Sequence, residues 1–340
     1  MSALLDIRFS DIVRAAERDD ASDVHIVPGV RAMMRVDGEL QVVASPEFTA
    51  NDVDAIALSL FTPSQLDAIK NGSEISTTKR LDDSELTLRV HGLQSLHGVA
   101  LAVRLLHRRI PAIEELRLPA VIASFGRKRH GLIVFCGPTG SGKSTTLAAL
   151  VGEINRTQPR RIITIEDPIE YRHVSDRSLI TQREIGRDAV SFDSALTGAL
   201  RADPDVIVVG EMRDPATIQA ALTAAETGHL VLTTLHSASA VQAVDRMLDS
   251  VREQDRALVR SQLAACLTAI VCQQLVPCAH GPGRRPATEV LVANDGIRAM
   301  IRDGRTHLIE NAMATGRSAG MQLFEQHIQE LIAAGEVSGT

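Results

Sequence analysis

Eight consecutive residues, Gly137-Pro138-Thr139-Gly140-Ser141-Gly142-Lys143-Ser144, constrain this chain more than any other stretch. They match G-x-x-x-x-G-K-[ST], a loop that joins a strand to a helix and wraps a phosphate chain in backbone N–H groups. Such wrapping needs glycines, because the backbone must turn sharply and approach the phosphates without a side chain in the way. The helix that follows points its positive end at the same anion. Lys143 is then expected to reach the β- and γ-phosphates and the Ser144 hydroxyl to ligate Mg²⁺, with Thr145 completing the cradle. The flanks agree. Leu132 to Cys136 is an unbroken apolar run, as in a strand buried on both faces, and a helix is expected from about Lys143.

Short apolar runs recur at Ile162 to Ile165, Val206 to Val209 and Leu230 to Leu235. Helical stretches lie between them, at Ala195 to Arg201 and at Ala216 to Thr227, the latter stopped by Gly228. This alternation predicts an α/β fold with a parallel sheet covered by helices on both sides. From about Ala238 onward the pattern reads as mainly helical. The first 110 residues read as a separate, small mixed α/β domain. There Phe9, Ile12, Val13 and Ala16 share a helical face, and Asp37-Gly38 marks a hairpin turn. Thr49 and Asn51 are candidate caps for a helix from about Asp52 to Leu60. In two later strands Arg89 and Arg104 alternate with apolar neighbours, which puts them on the face away from the core. The expected organisation is an amino-terminal domain over 1–110, a linker over 111–119 and an ATPase domain over 120–340.

Composition narrows the partners. The chain has 340 residues, 44% of them hydrophobic and 23% charged, so two globular domains are expected. A net charge of −6 gives no general reason for a nucleic-acid partner. The basic clusters Arg108-Arg109 and Arg127-Lys128-Arg129 read as surface charge. No apolar run is long enough to span a membrane, and Met1 to Asp11 lacks the pattern of a signal peptide. None of Cys136, Cys266, Cys272 and Cys278 forms a Cys-x-x-Cys pair, which points away from zinc and redox motifs and toward a reducing cytosol.

Hydrolysis needs more than a phosphate loop. Glu166-Asp167-Pro168-Ile169-Glu170 follows one predicted strand, at the carboxyl end where ligands of open parallel sheets bind. Glu211 ends another, with Gly210 where many such strands carry aspartate. It is placed to act on the metal and water. Arg213 and Asp214 read as a local ion pair. His236 closes the fourth strand beside the expected nucleotide, where it is placed to contact the γ-phosphate. His229 lies at the strand's other end and is expected to act through an interface.

With these residues placed, the chain resembles the PilT family of secretion-type ATPases nearly from end to end. Ala21-Ser-Asp-Val-His-Ile26 and Arg35-Val-Asp-Gly-Glu-Leu40 are similar to the family's amino-terminal signature. Glu166 to Glu170 resembles its Asp box, Gly210-Glu-Met-Arg-Asp214 its Walker B box and Thr227 to His236 its His box. The resemblance implies a homohexamer of subunits with a PAS-like amino-terminal domain and a RecA-like carboxyl-terminal domain. It implies Glu166 as general base, Glu211 as the Walker B glutamate, and Arg89 and Arg104 as arginines reaching the γ-phosphate when the domains close. ATP and Mg²⁺ are the implied ligands. The implied setting is the cytoplasmic face of the inner membrane, with a pilus platform protein, the pilin machinery and a sister motor as partners. Two features depart from the family: Gln94-Ser95-Leu96 replaces Gln-Arg-Gly, and the retraction-linked stretch reads Gly296-Ile-Arg-Ala-Met-Ile-Arg-Asp303, with Ala299 in place of asparagine. The resemblance makes pilus retraction the leading expectation, and the two departures count against it. An assembly ATPase, a nucleotide-binding accessory subunit and a DNA-translocating ring are its competitors.

Overall fold

The computed structural model describes residues 2–80, 86–106, 109–281 and 283–338, and Arg108 lies outside them. The chain divides into two compact units, 1–109 and 110–340.

Unit 1 contains helix α1 (Ser2–Arg18), strands β1 (Asp23–Ile26), β2 (Arg31–Val36) and β3 (Glu39–Glu47), helices α2 (Ala50–Leu60) and α3 (Pro63–Lys70), and strands β4 (Ile75–Arg80), β5 (Thr87–Ser95) and β6 (Gly98–Leu106). The strands form one antiparallel sheet in the order β3-β2-β1-β6-β5-β4. Phe9, Ile12, Val13 and Ala16 of α1 pack into a single core with Ile56 of α2, Leu88 and Val90 of β5, and Leu101 and Val103 of β6. Thr49 caps α2 in a reciprocal box with Asp52, and Thr62 caps α3 with Gln65. Residues along β5 alternate between buried and half-buried, and Arg89 lies on the half-buried set. It sits directly opposite Arg104 of β6. The Arg104 Nε lies 2.9 Å from Asp23 Oδ1 on β1.

Unit 2 opens with Ile113 buried beside Ile122 and Phe125 of helix α4 (Ala120–Phe125). Then come β7 (Gly131–Cys136), α5 (Lys143–Thr157), β8 (Arg161–Glu166), β9 (Leu179–Glu184), α6 (Phe192–Ala199), β10 (Val206–Val209), α7 (Pro215–Glu226) and β11 (Leu230–Leu235). The remainder is α8 (Ala240–Asp249), α9 (Glu253–Cys266), β12 (Leu267–Pro277), β13 (Arg284–Val292), α10 (Asp295–Arg302), α11 (Ile309–Thr315) and α12 (Phe324–Ala333). The sheet has seven strands in the order β13-β12-β7-β11-β10-β8-β9. All pairings are parallel except β12 with β13. Every residue of β7, β10 and β11 is buried, as their unbroken apolar sequences require.

The stretch after Ala238 has five α-helices among its described residues, α8 to α12, but it also holds two strands that its pattern does not announce. It contributes β12 and β13, and β12 pairs directly with the P-loop strand β7. The junction explains the difference. Helix α9 passes into β12 between Cys266 and Leu267 with no glycine or proline between them, so the helical pattern carries no stop signal. Strand β9 was also hidden, because this sheet-edge strand reads Leu-Ile-Thr-Gln-Arg-Glu and is only partly buried.

Candidate active site

The P-loop leaves the carboxyl end of β7 and enters α5 at Lys143. Its shape requires glycine at two positions above all. Gly137 has φ +142°, and a Cβ there would lie 2.3 Å from the Gln273 carbonyl oxygen. Gly142 has φ +86°, and a Cβ there would lie 2.6 Å from Gln273 Nε2. Gly140, with φ +77°, faces open space together with exposed Pro138 and Thr139. The Lys143 ammonium is buried and donates to the carbonyls of Gly137 and Pro138, each at 2.8 Å. Burial lowers its pKa, while the carboxylates of Glu211 and Glu170 oppose that shift. Ser144 is half-buried in the first helical turn, and the Thr145 hydroxyl is 2.8 Å from the Tyr171 hydroxyl.

Three further strand ends deliver the remaining groups to the same edge. Glu166 ends β8 and accepts hydrogen bonds from Thr164 Oγ1 at 2.6 Å and Gln182 Nε2 at 3.1 Å. Burial raises its pKa above the ordinary carboxylate value, against the lowering effect of those two donors. Gly210 follows β10, where a Cβ would come within 3.2 Å of the Ile165 carbonyl and 3.3 Å of Glu166 Cα. An aspartate would crowd β8 here, which gives the missing side chain a steric reason. Glu211 then faces His236 at the end of β11, with Oε1 3.4 Å from His236 Nε2. Burial first, and then the charge of Lys143, holds His236 below its ordinary pKa, so it is neutral near pH 7.

The structure therefore brings Lys143, Glu211 and His236 into one electrostatic neighbourhood, with Glu166 on the adjoining strand end. His229 is elsewhere. It precedes β11, seven residues and roughly 23 Å from His236 at about 3.3 Å per residue. There its Nδ1 lies 2.9 Å from the Ala224 carbonyl oxygen, and its own carbonyl accepts from Gly131 N–H. The pairing of Arg213 with Asp214 does not form. Arg213 Nε donates to Glu211 Oε2 at 2.7 Å, while Asp214 caps α7 by accepting from Thr217 N and Oγ1. The cap exists because Pro215 starts the helix one residue later, leaving Asp214 at the N-cap.

The family model described as type II/IV secretion system protein matches residues 2–338. The chain is 41% identical over 306 residues to the twitching motility protein of Neisseria gonorrhoeae, covering 90% of this chain and 82% of that one. It is 37% identical over 329 residues to the type IV pilus retraction ATPase PilT of Pseudomonas aeruginosa, covering 97% and 95%. The crystal structure of the pilus retraction motor PilT with bound ADP superimposes with a TM-score of 0.85 at 36% identity, covering 96% and 94%.

Gln273 lies outside every motif that the sequence offered, yet it touches the P-loop throughout. It is buried on β12, where its Nε2 donates to the Ser141 carbonyl and its Oε1 accepts from Thr146 Oγ1, both at 2.8 Å. No signal in a single sequence marks such a residue, because its partners lie 127 and 132 positions away. Replacing Gln273 by Leu removes both bonds and leaves the Ser141 carbonyl buried without its donor, at a cost of about 1–3 kcal/mol. The expected result is nucleotide affinity weakened roughly tenfold or more by titration calorimetry, with the fold retained by circular dichroism.

Proposed function

The chain belongs to the type II/IV secretion system protein family, and on that premise we propose that it is the ATP-hydrolysing subunit of a motor that retracts type IV pili. The observation that carries this reading is the convergence of Lys143, Glu166, Glu211 and His236 at the carboxyl ends of neighbouring parallel strands of one sheet. ATPase activity follows from family and site together. The P-loop suits a triphosphate: glycines at 137 and 142 let it close against Gln273 where a Cβ would clash, Gly140 leaves open space at its tip, and the buried Ser141 Oγ has no partner among the described residues.

In the proposed reaction, water attacks the γ-phosphorus, and ADP and phosphate leave. Lys143 holds the γ-phosphate and Glu166 takes the proton of the attacking water. Its raised pKa suits that task, because a base of ordinary carboxylate strength would hold the proton poorly. Ser144, through its hydroxyl, and Glu211, through water, would hold Mg²⁺, whose hard-oxygen preference these donors satisfy. When bound, Mg²⁺ supplies charge neutralisation between the β- and γ-phosphates. Neutral His236 offers a hydrogen bond near the γ-phosphate, held in place by Glu211. His229 is assigned to a subunit interface.

The remaining parts of the reading concern the assembly. Unit 1 is taken as PAS-like, unit 2 as RecA-like and the working form as a homohexamer. Among the described residues no helix is long and apolar enough to cross a membrane. The motor is placed at the cytoplasmic face of the inner membrane, acting on a platform protein and the pilin machinery beside a sister ATPase, with no nucleic acid. In the departed carboxyl-terminal stretch, Arg298 donates to the Ala264 and Ala265 carbonyls and so ties α10 to the end of α9. Exposed Arg302 is then the arginine of that stretch that is accessible to a partner.

Replacing Lys143 by Ala is expected to abolish steady-state ATP turnover while circular dichroism stays unchanged, since backbone and Gln273 build the loop. Deleting the gene is expected to make surface pili accumulate, counted by electron microscopy. Disappearance of pili would assign assembly, and an unchanged count an accessory role. Arg89 and Arg104 are proposed to meet the γ-phosphate when the units close. The Asp23 pair restrains Arg104 little, being partly exposed and worth under about 1 kcal/mol. The double variant Arg89→Ala with Arg104→Ala is therefore expected to bind ADP like the parent and to hydrolyse ATP roughly a thousandfold more slowly, measured by phosphate release.

A further inference from the structure

We propose that Gln182 of β9 is the positioning residue that fixes the hydrolytic carboxylate Glu166 to the loop following it and, through Tyr171, to the P-loop helix. The inference rests on the reading of Glu166 as base. Its basis is a set of contacts made by one amide. Gln182 Nε2 donates to Glu166 Oε1 at 3.1 Å and to the Tyr171 carbonyl at 2.8 Å. Its Oε1 accepts from the His173 N–H at 2.8 Å. An amide is the side chain that can make these bonds at once, since it presents donors and an acceptor side by side. Tyr171 is buried, and its hydroxyl lies 2.8 Å from Thr145 Oγ1, one residue past Ser144. One continuous chain of contacts thus runs from Glu166 through Gln182 and the Tyr171 backbone to the first turn of α5.

The arrangement answers a physical difficulty. Residues 167–178 form a long connection between β8 and β9, and such connections adopt defined positions only when their backbone groups find partners. Glu166 stands at the start of this connection, so its carboxylate would move with it. Strand β9 supplies the fixed reference, because it pairs with β8 along its full length, with Glu184 opposite Glu166. Two residues before Glu184, Gln182 reaches back to both the carboxylate and the loop. A water-activating base must be held within tenths of an ångström of its proton, and displacement by about 1 Å costs roughly a hundredfold in rate.

The same donor bears on protonation. Facing Glu166 are Glu170 in the following turn and Glu184 opposite it on β9, with Asp167 next in the chain and His173 on the loop that Gln182 holds. The charge of Glu170 raises the pKa of Glu166, as burial does. Thr164 Oγ1 and Gln182 Nε2 act in the opposite direction. A base works only when deprotonated, so turnover is lost as pH falls through its pKa. Removing the Gln182 donor moves that loss to higher pH.

The test is the pH profile of steady-state ATP hydrolysis at saturating ATP for the parent, Gln182→Leu and Gln182→Glu. Gln182→Leu is expected to lower turnover about tenfold to a hundredfold with little change in KM, and to move the acid limb to higher pH. Gln182→Glu keeps the shape and the acceptor for His173 N–H, but sets a second carboxylate against Glu166. Its acid limb is expected to lie higher still, because neighbouring carboxylates resist a second ionisation. Should either variant prove unstable, the other carries the comparison, and a melting curve reports which. Parent-like turnover and an unmoved acid limb in a folded variant overturn the assignment of Gln182 and leave Glu166 as base. A change in KM or melting temperature alone, with the limb unmoved, reduces Gln182 to a structural residue and overturns it equally. A parent profile with no acid limb removes Glu166 as base, and the proposal with it.

Discussion

A buried lysine organises the catalytic unit. An ammonium group withdrawn from water costs several kcal/mol unless nearby groups compensate it. Lys143 gains that compensation from the Gly137 and Pro138 carbonyls and from the carboxylates Glu211 and Glu170. The carbonyls can face it only if the loop curls tightly, which is why Gly137 and Gly142 take positive φ. The carboxylates reach it because four parallel strands end side by side. The P-loop is therefore a consequence of the sheet as much as of its own eight residues, and Gln273 of β12 is the tie between the two.

The opposite side of the site follows from a second packing constraint. Strands β8 and β10 end in close contact, and Gly210 lets their backbones approach where any Cβ would press on Ile165 and Glu166. The Thr234 hydroxyl donates to the Gly210 carbonyl at 2.6 Å and fixes this junction from β11. Glu166 and Glu211 can then lie on adjoining strand ends with different surroundings. One is buried among neutral donors. The other lies between Arg213 and His236. Two carboxylates in unlike environments suit two tasks, proton acceptance and metal holding.

The parts legible in the sequence are those set by neighbours along the chain. The P-loop, the buried strands β7, β8, β10 and β11, and the capping role of Thr49 rest on local patterns. Strand β12 was not legible, because α9 runs into it without a breaker. Gln273 and Gln182 were hidden for another reason: an amide in a strand has no distinctive local signature, and its meaning comes from partners brought close by the fold. The Arg213 and Asp214 pairing failed through competition, since a helix N-cap used the aspartate and Glu211 used the arginine. His229 and His236 look alike in sequence, yet strand direction alone sends one to the site and the other to the far edge.

The central claim is that Glu166, rather than the P-loop alone, makes the bound nucleotide hydrolyse. The most direct measurement is a paired one on Glu166→Gln: ATP affinity by equilibrium binding, and turnover by phosphate release. The substitution keeps the shape and removes the proton acceptor. The account predicts ATP bound at least as tightly as by the parent, with turnover close to background. Parent-like turnover would contradict it and move the role of base to Glu211.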